Sequence, residues 1–174
     1  MTIIIDDAGS GDLLFGVVIG AYRSETQEFK YDMVGVSFFQ SHRFLRKEYL
    51  AQASKTISKL LGLLAFKGDE PIMICKSYIF DKGVKDLQRK YGDSLIKRVK
   101  VIGEPQRLAE LAYLDEIRNL GYEPLKGREK KRAKSFFHML HWLEANPNRI
   151  KYAKTGWPRL SKYRLFRHLA STKR

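Results

Sequence analysis

The chain of 174 residues contains one cysteine, Cys75, five prolines, three asparagines and five glutamines. A single cysteine excludes an internal disulfide framework and a cysteine-rich zinc site, and it fits a reducing, cytoplasmic setting. No apolar run approaches the ~18 residues of a membrane-spanning helix, so no membrane partner is expected. The opening MTIIIDDAGSG lacks the basic stretch and the small-residue cleavage site of a secretory signal. There is no P-loop and no G-x-G-x-x-G after a strand, and neither serine nor cysteine sits in a nucleophile elbow. Scarce Asn and Gln beside plentiful Lys, Arg and Glu are a bias of hot-living organisms. With 44% apolar residues the chain has enough material for a core.

Acids nearly vanish in the last quarter. Residues 125–174 hold 15 basic and 2 acidic residues, whereas residues 1–124 hold 18 and 17. A near-neutral body, residues 1–124, thus precedes a basic extension, residues 125–174, which also carries seven aromatics. Charge gathered in this way attracts polyanions.

Hydrophobic periodicity predicts strands over residues 3–5, 13–22, 29–39, 72–75 and 96–102. It predicts helices over residues 44–64, 81–92, 104–119 and 129–143, and a short one near 162–169. Ser41 is the expected N-cap of the first helix. The order β-β-β-α-β-α-β-α implies an α/β fold: a mixed five-stranded sheet flanked by helices, with right-handed crossovers after the third strand.

Three places have acids that packing explains poorly. Asp6 and Asp7 follow three isoleucines, at the carboxyl end of a buried strand where α/β ligands bind. Glu48 falls within the apolar stripe of the first helix, where a carboxylate needs a cation or donors, or else sits at the rim beside Lys47 or Lys55. The helix after the fifth strand offers Glu104, Glu110, Asp115 and Glu116; Glu110 is the first choice and Asp115 the second. Carboxylates converging from separate elements suit Mg²⁺ or Mn²⁺, hard cations that prefer oxygen ligands and promote phosphodiester hydrolysis. Isolated His42, His138, His141 and His168 are read as structural or phosphate-facing.

The strand ending in Asp6, the hairpin, the third strand and the helix carrying Arg46-Lys47-Glu48-Tyr49-Leu50-Ala51 together resemble the ribonuclease H-like nuclease superfamily. The run Asp6-Asp7-Ala8-Gly9-Ser10-Gly11 is similar to the D-E-x-G-x-G opening of type II ribonucleases H. The resemblance implies a ribonuclease H-like fold over about residues 1–120. It also implies a metal site of Asp6, Glu48 and Glu110, with Asp7 assisting in catalysis. The family's fourth-strand acid is replaced here by Lys76, in Ile74-Cys75-Lys76-Ser77, which suggests one metal, a substitute such as Asp81, or lost activity. The small size and basic extension look like single-strand-specific 3′→5′ DNA exonucleases of hyperthermophilic archaea. They imply single-stranded DNA as substrate and DNA repair as the setting.

The extension supports a polyanionic partner independently. Lys130, Lys131, Arg132 and Lys134 cluster at a helix start, and Trp157 and Tyr163 are candidates for stacking on unpaired bases of DNA or RNA, with Lys76 beside the phosphate. Phe136, Phe137, Leu140 and Trp142 read better as packing. Exposed aromatics equally suit a homo-oligomer interface. The rival readings are a non-catalytic nucleic-acid-binding protein of the same fold and an RNA- or hybrid-processing endonuclease.

Overall fold

The computed structural model describes residues 1–171, with side chains through Arg167; the His168 side chain, expected to be structural or phosphate-facing, lies outside the described residues. The strands are β1 (Ile3–Ala8), β2 (Val17–Arg23), β3 (Glu28–Val34), β4 (Ile72–Cys75) and β5 (Ile96–Val99). The helices are α1 (Ser41–Leu45), α2 (Glu48–Leu63), α3 (Asp81–Tyr91), α4 (Glu104–Asn119), α5 (Arg132–Glu144) and α6 (Arg164–Ser171). One five-stranded sheet runs β3-β2-β1-β4-β5. β1–β2 and β2–β3 are antiparallel, whereas β1–β4 and β4–β5 are parallel. The mixed sheet expected from the sequence is therefore present.

Alternation along β1 sorts its side chains between two cores. Ile3 and Ile5 join Ile72, Ile74 and Ile96 beneath the buried stripe of α2, Ala53, Ile57, Leu60 and Leu61, with Val84 and Leu87 of α3. Ala8, on the opposite face, joins Val18 beneath Ala109, Ala112 and Tyr113 of α4.

Several boundaries differ from expectation: β3 stops at Val34, with a 3-10 turn over Val36–Phe39, β5 stops at Val99 and α5 begins only at Arg132. Residues 13–16 are outside β2, and Leu14 instead forms an isolated bridge with Ala153. The helix predicted over residues 44–64 is two helices, because Lys47 takes a left-handed conformation (φ 55°) at the junction. Ser41 begins α1 and Gln40 occupies the N-cap position.

The basic quarter closes one face of the sheet instead of trailing from it. Met139, Leu140, Leu143, Trp157, Leu160 and Phe166 bury themselves in the α4-side core. Backbone bonds join Phe15 N to Tyr152 O (2.6 Å), Lys154 N to Leu13 O (2.9 Å) and Gly156 N to Phe39 O (2.9 Å).

Gly9, just past β1, has φ +86°, and a Cβ there would lie 2.2 Å from the Tyr113 ring. Both backbone and space require glycine. Gly9→Ala is expected to destabilise the fold by about 2 kcal/mol or more in urea unfolding; a change below about 0.5 kcal/mol would contradict this placement.

Candidate active site

The parallel strands β1 and β4 end side by side. Their register pairs Ile5 with Ile74, so the next neighbours are Asp6 and Cys75. The chain leaves β1 toward β2 on one side, while β4 lies on the other, which is where α/β sheets open a crevice. A cleft of about 790 Å³ occupies that crevice, and Asp6, Asp7, Asp12 and Glu110 line it. Ligand atoms of Asp6, Asp7 and Cys75 lie within 4.8 Å of one another.

These carboxylates are poorly solvated. Asp6 is only 5% exposed, and burial pushes its pKa up to about 6, against the opposing effect of a hydrogen bond from the Cys75 thiol. Burial also raises Asp7, despite hydrogen bonds from the Ser10 and Ser77 hydroxyls and the charge of Lys154. Cys75 is driven by burial, and then by Asp6, up to about 12. It therefore stays a thiol and donates to Asp6. Two carboxylates with hydroxyls nearby suit a hard divalent cation, whereas a protonated thiol is not a ligand for one.

Glu110 lines the same cleft from α4, but Arg128 bridges it to Asp12. Burial raises Glu110 to about 7, and the Arg128 charge pulls the other way. Burial also works against the Arg128 charge, but Asp12 and Glu110 outweigh it and keep its pKa above the ordinary value. Arg128 is 6% exposed and its Nε has no hydrogen-bond partner among the described residues. Its guanidinium carbon lies 4.7 Å from the centroid of the Tyr113 ring.

A second buried cation holds the turn after β1. Lys154 is fully buried, and its Nζ donates to Gly9 O (2.8 Å), Asp12 O (2.7 Å) and Leu14 O (3.2 Å). Three acceptors match the three donors of an ammonium. Burial nevertheless lowers its pKa to about 7. The Tyr113 hydroxyl adds a bond to Leu14 O at 2.9 Å.

The expected ligand set of Asp6, Glu48 and Glu110 is not assembled. Glu48 does not line the cleft. The break at Lys47 puts it in the first turn of α2, where it accepts from Arg43 Nε and Arg46 Nε, each at 2.8 Å. Those arginines lower its pKa. Among the alternatives, Asp81 pairs with Arg98 (3.1 Å), Asp115 with Arg118 (3.6 Å) and Glu104 with Arg107 (2.5 Å). Glu116 accepts from the Tyr31 hydroxyl at 3.3 Å.

Of the basic candidates, Lys76 and Arg132 line the cleft, joined by Lys100. Lys130, Lys131 and Lys134 are exposed outside its lining. Trp157, expected to stack on unpaired bases, is only 7% exposed and belongs largely to the core. Tyr163 likewise packs on Phe136, with centroids 5.3 Å apart. The His138 ring bonds the Tyr122 hydroxyl through Nδ1 at 2.7 Å, a structural role.

The residues missed from sequence are Asp12, Lys100 and the two buried cations, Arg128 and Lys154. Asp12 lies in the turn that follows Asp6 and Asp7. The two cations are indistinguishable in sequence from their exposed neighbours. The chain matches no family model and no curated protein.

The folded protein keeps a proton on Asp6 between about pH 4 and pH 6 that the unfolded chain has released, so stability is lost as pH rises through that window. Without metal, Asp6→Asn is expected to be more stable than the wild type near neutral pH, by about 2–3 kcal/mol at most, with the gain shrinking toward about pH 4. Lys154 works in the opposite sense: its lowered pKa makes stability rise with pH between about 7 and 10.5. Urea unfolding across pH checks both, and an Asp6→Asn gain that does not vary with pH would contradict the burial argument.

Proposed function

We propose that this cleft is the active site of a divalent-metal-dependent nuclease of ribonuclease H-like fold. Its proposed substrate is single-stranded DNA, cut from the 3′ end as the sequence resemblance implies. The observation that carries the reading is the pair Asp6–Asp7, two desolvated carboxylates on β1 beside the end of the parallel strand β4, facing a cleft rimmed by exposed Lys76, Lys100 and Arg132. The element order supports the fold reading: hairpin, third strand, helix, then alternating strand and helix.

Asp6 and Asp7 would hold Mg²⁺ or Mn²⁺, and Glu48 has no part in it. Such an ion activates water and neutralises the scissile phosphate. Lys76, Lys100 and Arg132 attract the phosphate backbone and orient it over the acids. Glu110, with a pKa of about 7, is the carboxyl group in the cleft best matched to exchanging a proton with water at neutral pH. Arg128 and Lys154 are positioning residues: they hold Glu110, and the turn that follows Asp6 and Asp7.

A non-catalytic nucleic-acid-binding protein is the second reading, favoured by two specific observations. Arg128 engages Glu110, and Lys76 stands beside Cys75 where the resemblance implies an acid. Labelled single-stranded DNA incubated with Mg²⁺ or Mn²⁺, with EDTA as control, separates the two.

The expected outcome is metal-dependent degradation that falls at least about 100-fold in Asp6→Asn and Asp7→Asn, while Glu48→Gln stays within about twofold of wild type. Binding measured in EDTA is expected to survive in all three. Full activity of Asp6→Asn would contradict the assignment, and binding without degradation by wild type would favour the second reading.

A further inference from the structure

A second cavity of about 510 Å³ adjoins the acidic cleft and is lined by Tyr78, Trp157, Pro158 and Arg159 together with Ser10 and Gly11. Ser10, Gly11 and Tyr78 line the acidic cleft as well. The two are therefore continuous across the turn that follows Asp6 and Asp7. One side carries carboxylates and lysines, and the other carries aromatic rings, a proline and a guanidinium.

We propose that this second cavity receives an unpaired nucleobase whose phosphate lies in the adjoining cleft. The inference rests on reading that cleft as a nucleic-acid phosphodiester site, and it deepens that reading by giving single-strand selectivity a physical source. Tyr78 is 42% exposed, yet its ring is braced. Tyr49 meets it edge-on at 5.9 Å, and its hydroxyl lies 3.4 Å from Ser10 O. A fixed aromatic face at the surface is a ready stacking platform.

Trp157, mostly buried in the core, also lines the cavity, with the Arg159 guanidinium 4.5 Å from its ring centroid. A flat cation stacked on an aromatic ring extends the planar surface and adds attraction for a base with a nearby phosphate. The volume is within the range of about 300–1,000 Å³ in which small ligands are held.

The choice of occupant follows from continuity and charge. The cavity shares Ser10, Gly11 and Tyr78 with the cleft that Lys76 lines, and its own cation, Arg159, belongs to a basic segment. An apolar peptide or lipid would leave those cations without a counterpart. A polynucleotide supplies a π face for the ring wall and an anion for the cations in one repeating unit. Bases in a duplex are already stacked and paired, so only a single strand can place one against the Tyr78 ring without first unstacking.

The test compares wild-type binding, in EDTA to prevent cleavage, to labelled oligothymidylate and to an oligomer of equal length lacking all bases. Oligothymidylate is expected to bind about tenfold more tightly. Tyr78→Ala is expected to abolish most of that difference by weakening oligothymidylate alone. Tyr78→Phe, which keeps the ring, should retain it, and Arg159→Ala should reduce it. Circular dichroism verifies that each variant is folded.

Equal binding of the two oligomers by wild type would overturn the inference, as would a Tyr78→Ala variant that weakens both equally. If metal-dependent cleavage is found but the base makes no difference, this inference fails and the nuclease reading stands. If a base-dependent difference sensitive to Tyr78 is found without cleavage, the nuclease reading fails and this inference stands. Absence of binding to either oligomer overturns both.

Discussion

One ammonium group, Lys154 Nζ, organises the region on which the function depends. It is buried beneath the turn after β1, where it donates to the carbonyls of Gly9, Asp12 and Leu14. Burying a lysine is unfavourable, and only a full set of acceptors compensates for the lost water. The contact joins residues 140 or more positions apart and ties the basic C-terminal quarter to the end of the first strand. Gly9, lying against Tyr113, and the bridge from Asp12 through Arg128 to Glu110 complete the clamp. Asp6 and Asp7 are held at the mouth of the crevice by a turn with little freedom to relax.

That rigidity explains why the acids carry raised pKa values. A flexible turn would let Asp6 and Asp7 reach water or a lysine head group. Held in place, they retain an unfavourable environment that a bound divalent ion would relieve. The surroundings of Glu48 are the opposite: two arginines already satisfy it, and nothing about it calls for a metal. The distinction between a desolvated carboxylate and a paired one, more than the number of acids, separates the site-forming residues from the others.

The fold was largely legible because its signals are local. Runs of β-branched residues marked the strands, and the stripe from Tyr49 to Leu61 marked α2. Asp6, Asp7 and Glu110 were legible as acids that packing does not require, and all three reach the cleft. Glu48 misled because its neighbours suggested an unbroken helix, whereas Lys47 adopts a left-handed conformation and brings Arg43 and Arg46 onto it. Arg128 and Lys154 were illegible for a different reason. Their partners lie far away in sequence, and within a basic run a buried cation looks the same as a solvated one. Trp157, placed by composition on the surface, is mostly core yet lends one face to the cavity beside the cleft.

The most direct test of the central claim is a Mn²⁺ binding titration followed by electron paramagnetic resonance, comparing wild type with Asp6→Asn and Asp7→Asn. Saturable Mn²⁺ binding is expected, weakened at least about tenfold by either substitution, unchanged by Glu48→Gln, and accompanied by proton release near pH 6. Wild-type protein that binds no Mn²⁺ at millimolar concentration, or binding that survives the loss of Asp6, would contradict the claim.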